Sequence, residues 1–434
     1  MKVYQWNKIS DEEKKKILRR AELDITEQMK IAQEIINEVK EKGDQAVCFY
    51  TAKFDKAKLT SENLKVTPAE IAEGYARIAD DFKETLEFAF RNIKKFHEQQ
   101  MPEPLWFTET APGVMVGEQT KPINDVCIYV PRGKGSFPSV LLMLAVPAIV
   151  AKVPRIIIVT PPNPEGNLDD SVLAAAKVAG ITEIYKAGGI QAVAAAAYGT
   201  ETIPACSKII GPGNSYVTAA KRLLTGVLDV GPPAGPSEAV ILADESTNPG
   251  TAALDLMIEA EHGPDSASLL VTHCAGIIPE VESVINEQLP KLSKQRRSFV
   301  TTVLDSYGGI ILTESLAQSI DFINQYGPEH MEILTQNPWD VLPKINNAGE
   351  ILLGENAPIT LANFLLGPNA ILPTGGFAKT HSSVSVFDFL KRSSVGYVTQ
   401  DGYKQVKDKA ALFARTEGFE THALAVEDRW RTSG

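Results

Sequence analysis

Cysteine is scarce in this 434-residue sequence: Cys48, Cys127, Cys206 and Cys274 stand far apart, with no CxxC pair. That spacing argues against a disulfide scaffold or a zinc ribbon and points to a reducing cytoplasm. Long apolar runs are missing as well. The longest, VLLMLAVPAIVAKV at 140–153, is too short to span a bilayer and contains Pro147. The first residues, MKVYQWNKISDEEKKK, lack an apolar core and a small-residue cleavage site, so no secretory signal is expected. Positive charge is in deficit, with 43 Lys and Arg against 54 Asp and Glu. Without a basic cluster to neutralise phosphates, nucleic acid is not an expected partner. Internal repeats and low-complexity segments are also absent.

What is present is the composition of a globular protein, 44% hydrophobic and 22% charged. The length predicts two major domains with smaller appendages. Residues 11–53 read as Lys- and Glu-rich helices with Ile, Leu and Met at helical spacing and a break at Gly43. This N-terminal helical arm, assigned to 1–55, is expected to pack on another domain or a partner subunit. A second helical block covers about 68–100. From 125 the pattern changes to short β-branched runs, DVCIYV, RIIIVT, EIYKAGG and SKIIGPGN, alternating with Ala- and Leu-rich stretches. That rhythm predicts βαβ units and a parallel, doubly wound sheet, with a nucleotide at the carboxyl ends of its strands. AVILAD, SLLVTH, GGIILT, MEILT and EILLG form a second α/β set. The expected division is 125–237 as a cofactor-binding domain, 56–124 with 238–380 as the other α/β domain, and 381–434 as a small tail unit.

Histidine is limited to six positions. In IEAEHGPDS, Glu259 and His262 are three apart, so both project from one helical face and could reach one ion. The same pair also reads as a solvated helix end. In NQYGPEHME, Glu329 adjoins His330 just before a strand, two proton-transfer groups of different pKa at one place. A surface Glu-His turn is the competing reading. GPGNSYVTAAKR follows a strand and opens a helix, which suits close backbone approach to a ligand and a phosphate at the helix N-terminus. It lacks the dinucleotide pattern GxGxxG. GPPAGPSEAV joins the two α/β sets and puts Ser237 and Glu238 where a cleft would open.

Taken together, YVPRGKGSFPSVLLM, GGIQAVAA, GPGNSYVTAAKR, AGPSE, EAEHGPDS, YGPEH, LGPNAILPTGG and TEGFETH resemble the histidinol dehydrogenase family, in its order and at its spacings. The resemblance implies two incomplete Rossmann-like α/β domains with parallel sheets. It further implies a cytoplasmic homodimer with swapped terminal elements, an active site shared between subunits, one zinc per subunit and NAD. The implied reaction is the four-electron oxidation of L-histidinol to L-histidine. By the same resemblance, Glu329 and His330 match the acid/base pair, and Tyr129, Gln191 and Asn214 match NAD contacts. His262 and His422 match metal-binding histidines. Ser237 and Glu417 match substrate contacts, joined in the substrate site by His330 and the metal ligands.

The departures are specific. Glu259 stands where the family usually has a glutamine ligand, and Asn363 where it has an aspartate. The expected metal set, Glu259, His262, Asn363 and His422, therefore keeps two imidazoles, one carboxylate and one amide, with ligand charge unchanged. Ala370, Arg132 and Gly231 replace a usual histidine, glycine and aspartate. These changes leave room for the same chemistry on another small alcohol, such as a sulfonated propanediol. A non-catalytic paralogue is the third reading.

Overall fold

The computed structural model describes residues 1–20, 25–132 and 135–429. Its strands in chain order begin with β1 (Val3–Gln5), β2 (Leu105–Ala111), β3 (Val114–Pro122) and β4 (Asp125–Tyr129). β5 (Arg155–Thr160), β6 (Ile184–Lys186), β7 (Ile209–Ile210), β8 (Glu238–Ala243) and β9 (Ala267–Thr272) follow. The last are β10 (Gly309–Leu312), β11 (His330–Ile333), β12 (Glu350–Leu353) and β13 (Leu390–Val398). The chain forms two compact units, one of Met1–Gln100 with Asn124–Phe389, the other of Met101–Ile123 with the chain from Leu390 on.

The first unit holds two sheets, both wholly parallel. One runs β6-β5-β4-β7 and the other β1-β10-β9-β8-β11-β12. Leaving out β1, each follows the Rossmann order, the second strand set on one side of the first and the fourth on the other, and each stops short of six strands. β4, β5, β8 and β9 are apolar and almost wholly buried, as strands covered by helices on both faces must be. The α/β class expected from the alternating pattern is the class observed.

Three elements depart from the sequence reading. β1 lies inside the segment read as a helical arm. It joins the six-stranded sheet beside β10, anchored by buried Trp6, which meets Phe322 edge-on at 4.8 Å between ring centroids. Three residues are too few to show a strand period. The helices Pro68–Arg77 and Asp80–Glu98 pack on Asp170–Ala179 and Pro138–Val150, beside the four-stranded sheet. The grouping of 56–124 with 238–380 is corrected accordingly. Gly74 is the reason the approach is so close, because a Cβ there would lie 2.7 Å from Leu173 Cδ1. The contact is finished by an Arg77–Asp170 ion pair at 2.7 Å and a Lys186–Glu70 pair at 2.6 Å.

Helix Thr26–Lys42 lays Ala32, Ile35, Ile36 and Val39 into the core of the four-stranded sheet. Residues 21–24 of the expected arm lie outside the described residues. The second unit pairs β13, β3 and β2 in antiparallel order and continues with helices Gln400–Thr416 and Glu420–Glu427. β2 is exposed on both faces, so LWFTETA carries no alternation by which a strand could be read. The tail unit accordingly starts at Leu390, not 381, because Val384, Val386 and Phe389 are buried in the first unit.

Candidate active site

The amino ends of β8, β11 and β12 lie side by side, and each carries a carboxylate or imidazole. His330 starts β11 and Glu350 starts β12 in direct register. The His330 Nδ1 hydrogen-bonds Glu350 Oε1, while Nε2 faces Glu329 Oε1 at 3.8 Å. Glu329 Oε2 accepts the Glu238 N–H at 2.8 Å. All three glutamate-histidine partners are removed from water. Burial pushes the Glu329 carboxyl well above the usual range, with Glu259 and Glu238 adding to the rise against the pull of His330. For His330, burial alone would favour the neutral ring, but Glu259, Glu329 and Glu350 outweigh it and push the pKa up to about 10.

Behind Glu238 stands Arg20, which the sequence did not single out. Its Nε meets Glu238 Oε1 at 3.0 Å, its Nη2 donates to the Tyr326 and Gly327 carbonyls at 2.7 and 3.0 Å, and its guanidinium stacks on Tyr326. The turn before Glu329 is therefore clamped by a cation 306 residues away in the chain. Glu350 was also missed. Only strand register reveals it, since nothing in GEILLG distinguishes that glutamate from a surface residue.

Glu259 is the hub of a second group. It is buried at the end of helix Pro249–Ile258 and accepts from Asn363 Nδ2 at 3.0 Å. His262 Nε2 lies 3.6 Å from its other oxygen. Burial would raise the Glu259 pKa, but His262, His330, Asn363 and Ser237 together hold it below the ordinary value. A buried, ionised carboxylate ringed by imidazole and amide donors is a fitting seat for a divalent cation. Thus Ser237, Glu259, His262, Asn363, Glu329 and His330 are brought to one place. Glu417 and His422 are in the second unit. Glu417 ends helix Gln400–Thr416, His422 lies on the final helix beside Phe419, and both are exposed.

The three expected cofactor residues gather at the carboxyl edge of the four-stranded sheet. Tyr129 ends β4, and its hydroxyl accepts the Gly189 N–H at 3.0 Å. Gln191 is buried with both amide atoms unpartnered, which suits a ligand offering a donor and an acceptor. Asn214 caps helix Ser215–Leu224, its Oδ1 accepting from Tyr216 and Val217 N–H. Gly211 at φ +136° passes so close to Tyr129 that no Cβ would fit. Arg132 pairs with Asp169 at 3.4 Å, whereas Gly133 and Lys134 of the same motif lie outside the described residues. Gly231 takes φ +69°, a conformation that favours glycine.

Two residues beyond His330 along β11, Glu332 is fully buried against Asp255, with the Ile359 N–H donating to it at 2.6 Å. Burial first, then the Asp255 charge, pushes Glu332 up to about 9, and Asp255 rises to about 6. A carboxyl raised on folding stabilises the fold fully below its unfolded pKa, and that contribution is lost as pH climbs toward the folded value. Glu332→Gln is therefore expected to flatten the decline of stability between about pH 5 and pH 8 by up to roughly 1.4 kcal/mol per pH unit. Denaturant midpoints across that range measure it; an unchanged slope would mean that the pair carries no such proton.

A family model described as histidinol dehydrogenase matches residues 18–430. The chain belongs to the histidinol dehydrogenase family. It is 49% identical over 428 residues to the histidinol dehydrogenase of Synechocystis sp., covering 99% of each chain. A histidinol dehydrogenase homolog of Colwellia psychrerythraea is 48% identical over 98% of this chain and 96% of its own. The crystal structure of histidinol dehydrogenase from Elizabethkingia anophelis superposes with a TM-score of 0.94 at 35% identity, covering 100% of this chain and 98% of that one. The family is one of oxidoreductases in histidine biosynthesis. Among the described residues, no helix is long and apolar enough to cross a membrane.

Proposed function

We propose that the chain oxidises L-histidinol to L-histidine through a bound aldehyde, consuming two NAD per turnover. The observation that carries this reading is the buried Glu329–His330–Glu350 array next to the Glu259–His262–Asn363 group. Zinc held by Glu259, His262, Asn363 and His422 would supply Lewis acidity to the substrate alcohol, and NAD along Tyr129, Gln191 and Asn214 would accept the hydrides.

His330 takes the hydroxyl proton at Nε2, while Glu350 holds Nδ1 and fixes the ring. Pairing Glu259 with a cation removes one of the carboxylate pulls on His330, so that the ring is free to act as a base. Glu329, its pKa raised by burial, draws a proton from water as the aldehyde hydrates. Ser237 and Glu417 orient the substrate. The exposed Leu412, Phe413 and Leu424 on the two final helices, with Phe419 between them, support a homodimer in which Glu417 and His422 enter a shared site.

The test is NADH release from purified protein with L-histidinol, with two NADH per substrate expected. Ala370 and the Glu259/Asn363 pair favour a second reading, the same chemistry on another small alcohol such as a sulfonated propanediol. No histidinol turnover together with NADH from such a diol would replace the first reading by the second.

A further inference from the structure

The proposed active site occupies the amino edge of the six-stranded sheet, and its carboxyl edge carries a separate group of ligand-type side chains. Glu245 lies just beyond β8, and His273 and Cys274 just beyond the neighbouring β9. One ligand atom of each lies within 4.8 Å of the others. Glu245 Oε2 is 3.3 Å from Cys274 Sγ and 3.7 Å from His273 Nε2. In tetrahedral zinc coordination with ordinary bond lengths, ligand atoms are about 3.3–3.6 Å apart, so the Glu245–Cys274 edge already has the needed size and the Glu245–His273 edge is slightly longer.

The geometry points to a second, thiolate-containing site for a borderline-soft divalent cation such as Zn²⁺, formed by Glu245, His273 and Cys274 with solvent at the fourth position. These donors are N, S and O, a set that suits zinc rather than magnesium or calcium. The Glu245 loop is already held in place. The Asp244 carboxylate accepts from Ser246 and Gln336 N–H at 2.9 Å each, and the Thr247 hydroxyl donates to the Leu334 carbonyl at 2.7 Å. On the other strand exit, the Cys274 N–H donates to Thr272 Oγ1 at 3.0 Å.

Without a cation, burial and the Glu245 carboxylate push the Cys274 thiol up to about 11. Metal binding breaks the S–H bond, forms the metal–sulfur bond and releases the proton to solvent, so affinity rises with pH. Bound metal ties the exits of β8 and β9 together.

The test is titration of the full-length protein with Co²⁺, which reports sulfur ligation by a charge-transfer absorption in the near ultraviolet. One equivalent per chain is expected to develop this band, and Cys274→Ser is expected to abolish it while the protein stays folded by circular dichroism. Glu245→Gln removes one charge from the set and is expected to weaken Co²⁺ binding about tenfold. Absence of the band, or a band that survives in Cys274→Ser, overturns the proposal. The Glu259 group contains no sulfur, so the result does not depend on the function proposed above.

Discussion

Glu329→Gln is expected to lower the overall kcat by about 10²–10⁴-fold and to leave a single NADH per active site in a pre-steady-state burst. The amide is isosteric, and its oxygen can still accept the Glu238 N–H that the carboxylate accepts at 2.8 Å, so the turn survives. What is lost is proton transfer from water at the aldehyde stage. His330→Asn is expected to act earlier, removing the burst itself, because His330 is proposed to take the alcohol proton. Stopped-flow NADH absorbance distinguishes the two. If both variants turn over within a few-fold of the parent, the acid/base assignment falls, and with it the reason for burying these carboxyls beside an imidazole.

Glu259→Gln is expected to strip zinc from the protein, and adding Asn363→Asp is expected to bring it back. In the natural pair the Asn363 amide donates to the Glu259 carboxylate at 3.0 Å, and that carboxylate would be the negative charge of the proposed set. The single change Glu259→Gln would leave two amides and two imidazoles in the proposed ligand set. The loss should exceed the roughly 10–100-fold typical of removing a group that only orients a ligand. The second change, Asn363→Asp, returns the charge on the opposite side of the same hydrogen bond. Zinc content after dialysis against a weak chelator measures both variants. Equal loss from Glu259→Gln and from the double variant would show that the two positions are not exchanging roles.

The comparison of sequence and fold turns on distance along the chain. DVCIYV, RIIIVT, AVILAD and SLLVTH announce their strands because a parallel strand covered on both faces needs an uninterrupted apolar run, a purely local property. The same holds for the histidine and carboxylate motifs. Glu259 with His262 and Glu329 with His330 are neighbours by helix or chain geometry, so their pairing is legible before any fold is known. β2 was not legible, because a strand exposed on both faces imposes no alternation.

By itself, then, the sequence determined the α/β class, most strands of the two parallel sheets, the family and the residue types available for proton transfer. The tertiary structure decided what those residues face. Asn363 meets Glu259 across 104 positions and Arg20 reaches Tyr326 across 306, separations that no periodicity spans. It also decided the edge. The cofactor candidates lie at the carboxyl ends of one sheet, where the strand-order rule puts ligands, while the acid/base candidates sit at the amino ends of the other. Strand register is the physical reason: it sets His330 beside Glu350, and pairing between strands belongs to the assembled sheet rather than to either segment.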